Sequence, residues 1–332
     1  MPTEDWMTLQ ELLDYPMPPF ETTPPSNLHQ NTRNDKWAKL IEMRGLKSFT
    51  PKRVRNMIGK RGLQLETRFT RKQVDDMLRT AMPNYTVKSR SGCFTARDRF
   101  FFDREKLFTG FNQEFLKPIV RGMLDVICQF KERPYILWVD TRLNRFNINF
   151  DENPNISSLF CDSHVGFHAS GEGYKASVVG DDKLSRTWTF ESVKPVLGKK
   201  VQSLVMGTTN DQRNPVRQVV SYANAANTCW SYILTNEEIV LGRVYKVAET
   251  DEVEDFLLDW EEYSMAEDQW LGIEMMSIPW GQKRGPDTMS VLEALLGWSI
   301  LSFHDGYREL VLKDHLPPLV EVFNAAKAMM RD

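Results

Sequence analysis

Tyr174-Lys175-Ala176-Ser177-Val178-Val179 is the stretch around which the rest of the chain arranges itself. It reads as a strand, and Thr187–Val193 is a second strand candidate just beyond it. A helix follows over about Pro215–Ala226. Two strands, Trp230–Leu234 and Ile239–Val247, then flank Thr235-Asn236-Glu237-Glu238, a hairpin signal. Upstream, Tyr135–Val139 and Asn147–Phe150 read as extended. Before them, Glu105–Phe130 carries Leu107, Phe108, Phe111, Phe115, Ile119, Val120, Met123, Leu124 and Ile127 at mostly helical spacing. The order is helix, strands, helix, two strands. It predicts an α/β domain over residues 103–286, with a mixed sheet flanked by helices. Residues 287–332 read as two further helices, broken at Pro317-Pro318, that pack on this domain.

Three segments carry a resemblance: Tyr174–Val179, Trp188-Thr189-Phe190-Glu191-Ser192-Val193-Lys194-Pro195, and Gln218-Val219-Val220-Ser221-Tyr222. Together they resemble the PD-(D/E)XK nuclease-like superfamily, in particular the fungal nuclease-like proteins with a Gln-xxx-Tyr helix after the active-site strand. The resemblance covers about residues 103–248 and implies a restriction-endonuclease-like fold. It also implies Mg²⁺-dependent hydrolysis of DNA. Two carboxylates on adjacent strands would hold Mg²⁺, a hard cation that takes oxygen ligands. The metal would activate water at the scissile phosphate. A lysine two residues after the second acid points the same way along a strand. Gln and Tyr four apart share one helix face. Carried onto this chain, the resemblance gives Lys194, Glu191, Asp182, Gln218 and Tyr222 as catalytic residues, with Asp182, Glu191 and Glu114 as metal ligands. The match departs from the motif at Ser192, where the second acid belongs, and at Ser177, where the first does. Glu191 stands three before Lys194, so in a regular strand it faces away, and only a bulge would turn it round. The alternative is a nuclease-fold protein that does not cut and serves as a DNA-binding, regulatory or interaction module. Fold alone does not decide between the two.

Charge is uneven along the chain. The net charge is −3, yet Lys36–Arg79 holds 13 Lys or Arg against 4 Asp or Glu. Such a block points to a polyanionic partner, or else to a solvated basic face. Thr50-Pro51 starts a helix with Val54, Met57 and Ile58 on one face, and Gly62 stops it. Thr70 and Gln73 have the spacing of a capping box ahead of Val74, Met77 and Leu78. Residues 36–83 thus read as a small helical module, two helices joined by an extended loop from Gly62 to Phe69. Thr50-Pro51, Val54-Arg55, Met57-Ile58, Arg61-Gly62-Leu63 and Lys72 ahead of Val74 and Leu78 resemble SAP and helix-extended-loop-helix modules. Thr67-Arg68-Phe69 replaces the loop glycine usual there. The resemblance implies contacts from Lys52, Arg53, Arg55, Lys60, Arg61, Arg68, Arg71 and Lys72 to the DNA backbone, which reads sequence weakly. The other reading is a basic helical hairpin packed on the main domain.

Residues 1–35, with Pro16, Pro18-Pro19 and Pro24-Pro25, read as a disordered tail with at most one short helix at Trp6–Leu13. Residues 84–102 read as a connector. Four widely spaced cysteines suggest a reducing compartment rather than a disulfide framework. With DNA as partner, an intracellular, nuclear location is expected. No apolar run approaches a membrane span, and no phosphate loop, zinc-protease or serine-hydrolase motif occurs. Cys161, His164 and His168 have a spacing that zinc uses, without an evident fourth ligand nearby. Residues 249–268 contain ten acids and no Lys or Arg. They read as a solvated acidic face or as a surface for a basic partner.

Overall fold

The computed structural model describes residues 5–17, 20–21, 38–82, 100–101, 105–130, 136–138, 163–169, 173–185, 187–199, 201–248 and 270–331. The first elements are β1 (Trp6–Thr8), α1 (Leu9–Leu13), β2 (Phe20–Glu21), β3 (Lys39–Gly45), α2 (Pro51–Leu63), β4 (Glu66–Thr70), α3 (Arg71–Ala81) and β5 (Phe100–Phe101). Next come α4 (Glu105–Phe111), a π-helical turn (Asn112–Leu116), α5 (Lys117–Phe130), β6 (Ile136–Trp138), β7 (Ser163–Ala169) and β8 (Gly173–Lys183). The rest are α6 (Val201–Met206), α7 (Asn210–Ala225), β9 (Trp230–Thr235), β10 (Glu238–Lys246), β11 (Trp270–Pro279), α8 (Val291–Ser302) and α9 (Leu319–Arg331).

Seven strands form one mixed sheet in the order β3-β11-β10-β9-β8-β7-β6. β6, β7 and β8 run as an antiparallel meander. β8 pairs with β9 in parallel, the pairing that needs a crossover helix, and α7 supplies it, packing against both strands. The expected hairpin forms, with Leu234 opposite Ile239. The Thr235 hydroxyl accepts from the backbone N–H of Glu237 and Glu238, which fixes the turn. The α/β class and the flanking helices therefore match the sequence reading. Three strands of the sheet escaped it: β7 (Ser163–Ala169), β11 and β3. β11 pairs along all of β10, and β3 adds in parallel to β11 at the sheet edge.

β3 also corrects the organisation. Residues 36–83 are not a separate helical module, because Lys39–Gly45 belongs to the main sheet. The local elements form in part as expected, but the break in α2 falls at Gly59, whose φ is +75°, while Gly62 lies inside the last turn instead of stopping the helix. Thr50 caps α2 through Arg53 N–H, and Thr70 with Gln73 makes a full capping box on α3. The loop between them contains β4, which pairs with β1. Both helices then join the common core. Val54 comes so close to α8 that a Cβ on Gly297 would stand 2.8 Å from its Cγ1. Phe69 of β4 fills the notch at Gly122 of α5, where a Cβ would stand 2.2 Å from its ring. Val54, Met57, Ile58, Val74 and Leu78 belong to the same apolar cluster as β8, β9 and α8.

The expected disordered tail is likewise corrected for residues 5–17. Thr8 and Glu11 form a capping box on α1, and Leu9, Leu12 and Leu13 are buried. The Ser290 hydroxyl donates to the Leu13 carbonyl at 2.9 Å, which ties this segment to the start of α8. Helix α8 is buried on all sides, as expected of a helix apolar around its whole circumference. Its one acid, Glu293, is fully buried and held by Arg55 at 2.7 and 2.8 Å and by Arg284 at 3.0 Å. Pro317-Pro318 precede α9, as the sequence suggests. The connector 84–102 apart from Phe100–Phe101, the expected strand Asn147–Phe150 and the acidic stretch 249–268 lie outside the described residues.

Candidate functional site

β8 runs to Lys183, four residues beyond the expected end at Val179. Its last residues, Asp181-Asp182-Lys183, have the acid-x-lysine spacing of the resembled motif. Side chains alternate along a strand, so Asp181 and Lys183 share one face. Lys183 Nζ lies 2.9 Å from Asp181 Oδ2, and both residues are buried. Asp182 points to the opposite face. There its Oδ1 accepts a 2.8 Å bond from Nδ2 of Asn112, which is fully buried on the π-helical turn. Such turns insert an extra residue into a helix and re-aim a side chain. Cross-strand pairing puts Asp181 in a row with Ile233 and Val240, so Glu238, two residues before Val240, is on the Asp181 face. Glu238 accepts from Phe190 N–H at 2.6 Å and from the Ser277 hydroxyl. Burial pushes the Glu238 carboxyl up from its ordinary range, against the pull of those two donors.

The predicted pair Glu191 and Lys194 does not lie on a strand. Thr187–Val193 was expected to be extended, but Phe190–Ser192 and Lys194–Val196 are 3₁₀ turns. Trp188 and Phe190 alternate like strand residues, while Pro195 forces φ and removes a donor. The turn also removes the expected obstacle. Residues three apart are neighbours on a helical turn, and Lys194 Nζ reaches Glu191 Oε1 at 2.7 Å. Both side chains are exposed, at 57% and 72%. Lys194 is therefore not a strand neighbour of Ser177. Ser177 is buried in β8, donates to the Val165 carbonyl at 3.0 Å and offers no acid. Glu114 sits exposed on the π-helical turn. Gln218 and Tyr222 do meet on α7, where Gln218 Nε2 donates to the Tyr222 hydroxyl at 2.5 Å.

These residues do not fit a Mg²⁺ site. Asp181 and Asp182 face opposite sides of the sheet, Lys183 already contacts Asp181, and Glu191 and Glu114 are on exposed turns. Among the described residues no three His, Cys, Asp or Glu side chains are grouped as a metal ion requires. For zinc, His164 is a buried residue of β7 and Cys161 is outside the described residues. The sequence did contain the signal for Asp181 and Lys183 in their spacing. It was hidden because two successive carboxylates read as a strand end.

The basic residues divide into two groups. Arg55 is structural: besides Glu293 it donates to the carbonyls of Gly285 and Thr288, each at 2.7 Å. Arg53 donates to the Ser48 carbonyl at 2.7 Å. Lys52, Lys60, Arg61, Arg68, Arg71 and Lys72 are exposed. Five of these, Lys60, Arg61, Arg68, Arg71 and Lys72, lie along the end of α2, β4 and the start of α3. Arg71 sits 4.5 Å above the Tyr15 ring. Comparison of the chain with protein-family models, with curated proteins and with solved structures finds no match. No helix among the described residues is long and apolar enough to cross a membrane.

Proposed function

We propose that this chain is a DNA-binding protein on a PD-(D/E)XK nuclease-like core that does not cut. The observation that carries the reading is the closed pair on β8. Asp181 and Lys183 have the acid-x-lysine spacing, on the third strand of a meander that follows a helix and precedes a crossover helix. The carboxylate is spent on the lysine and both groups are shut from solvent, so neither is placed to meet a metal-bound water and a phosphate. A buried ion pair holds its partners tightly, because opening it strands a charge in a poor solvent. DNA affinity on this reading comes from the exposed cations of α2, β4 and α3, through counterion release from the phosphates. A nuclear location would follow from that partner.

Mg²⁺-dependent cleavage is the second reading, and the same acid-x-lysine spacing favours it. One experiment separates them. The full chain is incubated with plasmid and single-stranded DNA in Mg²⁺ or Mn²⁺, with mobility shifts measured in parallel over a salt series. Intact DNA with retarded, salt-sensitive bands supports the proposal. Metal-dependent nicking that is lost in Lys183→Ala would establish the second reading. Absence of retardation at low salt would remove DNA as the partner.

A further inference from the structure

A cleft of about 360 Å³ opens at the β3 side of the sheet, lined by Arg44, Lys47, Arg53, Arg243, Glu274 and Lys313, with Pro317–Val320 forming one wall. Sheet register explains the convergence. Arg44 pairs with Glu274, Glu274 with Arg243 and Arg243 with Trp230, a row across four strands. Arg243 is the unusual member. It is 2% exposed. Its guanidinium lies 5.6 Å from the Trp230 ring centroid, and its Nε and Nη2 have no oxygen acceptor among the described residues; the buried Cys229 sulfur beside it is only a weak acceptor. A buried guanidinium with unused donors is costly unless an acceptor completes it. Buried Glu293 meets the opposite treatment, with two arginines on it.

The surroundings select the acceptor. Five cations line the cleft against one carboxylate, Glu274. Behind them Glu42 takes Arg44, Lys313 at 3.0 Å and the Tyr245 hydroxyl at 2.9 Å. With both acids ionised the group keeps an excess of three positive charges, more than one carboxylate would neutralise. The first turn of α9 is part of the wall, so the positive end of its dipole adds to the field. Arginine forks match phosphate oxygens in pairs. The volume lies in the lower part of the range of small-molecule pockets. We infer that this cleft binds a small phosphate-bearing anion, with the Arg243 guanidinium as its buried anchor and Arg53 and Lys47 closing from the rim. This site is separate from the exposed cations of α2, β4 and α3 on which the nucleic-acid reading rests; of the expected DNA contacts it uses only Arg53, which is half-buried.

The test is calorimetric titration of the full chain with pyrophosphate, orthophosphate and acetate at constant ionic strength. Saturable pyrophosphate binding, with acetate much weaker, is expected. Arg243→Met should weaken it by at least about tenfold, the scale for removing a buried charged partner. Because Arg243→Met also alters the protein interior, Lys47→Glu provides a second variant on an exposed residue. It should weaken binding several-fold while circular dichroism stays unchanged, and Arg68→Gln should leave affinity unaltered. Lack of saturable pyrophosphate binding at millimolar concentration overturns the inference. So does equal affinity for acetate, and so does full affinity in Lys47→Glu and Arg243→Met together.

Discussion

Two acid–lysine pairs of the same chemistry stand 13 residues or less apart in the chain and differ in everything that matters for their role. Asp181 and Lys183 meet on a central strand with side chains 0% and 8% exposed, whereas Glu191 and Lys194 meet on a surface turn with side chains 72% and 57% exposed. Contact distances are nearly the same, 2.9 and 2.7 Å. The lesson is that distance says little about the worth of an ion pair until burial is known. In the interior, each charge is hostage to its partner. On the surface, water and salt replace the partner at little cost.

The sharpest way to break this comparison is to remove one partner from the interior. Lys183→Met should cost about 3–5 kcal/mol of stability in urea unfolding, because Asp181 is left charged in the core. Asp181→Leu combined with Lys183→Met should recover much of that loss, since an apolar pair needs no compensation. If the double variant is no better than the single one, the ion pair is not the source of the effect. A smaller loss, about 1–3 kcal/mol, is expected for Asn112→Ala, which takes a donor from buried Asp182. The same unfolding measurement reads it.

The pH dependence comes next. Burial raises the carboxyl of Glu42, but hydrogen bonds from Lys313, Tyr245 and Arg44 outweigh it and hold the net value below the usual glutamate range. A depressed acid contributes stability above its unfolded pKa, and that stability disappears as pH falls through the lower folded value. Acid unfolding followed between pH 5 and pH 3 should therefore be shallower in Glu42→Gln than in the parent chain. The smallest effect belongs to the surface pair. Lys194→Ala should change stability by about 0–1 kcal/mol and leave DNA retardation unchanged. A large loss in either would mean that the 3₁₀ turns hold a site after all.

The same contrast explains what could be read from the sequence. Local signals came through: the caps at Thr50 and Thr70, the Thr235 turn and the break at Pro317-Pro318 each act within a few residues. Long-range pairing did not. Lys39–Gly45 breaks its alternation at Leu40-Ile41, where the register with β11 shifts, and its basic residues read as part of the helical module 36–83, although its partner is β11. Asp181 and Asp182 were placed outside the strand because carboxylates rarely occupy a buried centre. Only the partners, Lys183 on the same strand and Asn112 on a distant helix, make those positions tolerable. Arg55 looked like a DNA contact for the corresponding reason, since nothing nearby in sequence reveals Glu293.

The parallel pairing of β3 with β11 has a consequence for the order in which the molecule is made. Residues 39–45 emerge from the ribosome long before residues 270–275, their sheet partners. α1 and α2 likewise wait for α8 and its Ser290 and Glu293. Contacts this distant in sequence slow folding, because a long loop must close before they form. The nascent N-terminal helices therefore spend most of synthesis with Leu9, Leu12, Leu13 and Val54 uncovered, the condition under which partly made chains aggregate or recruit chaperones.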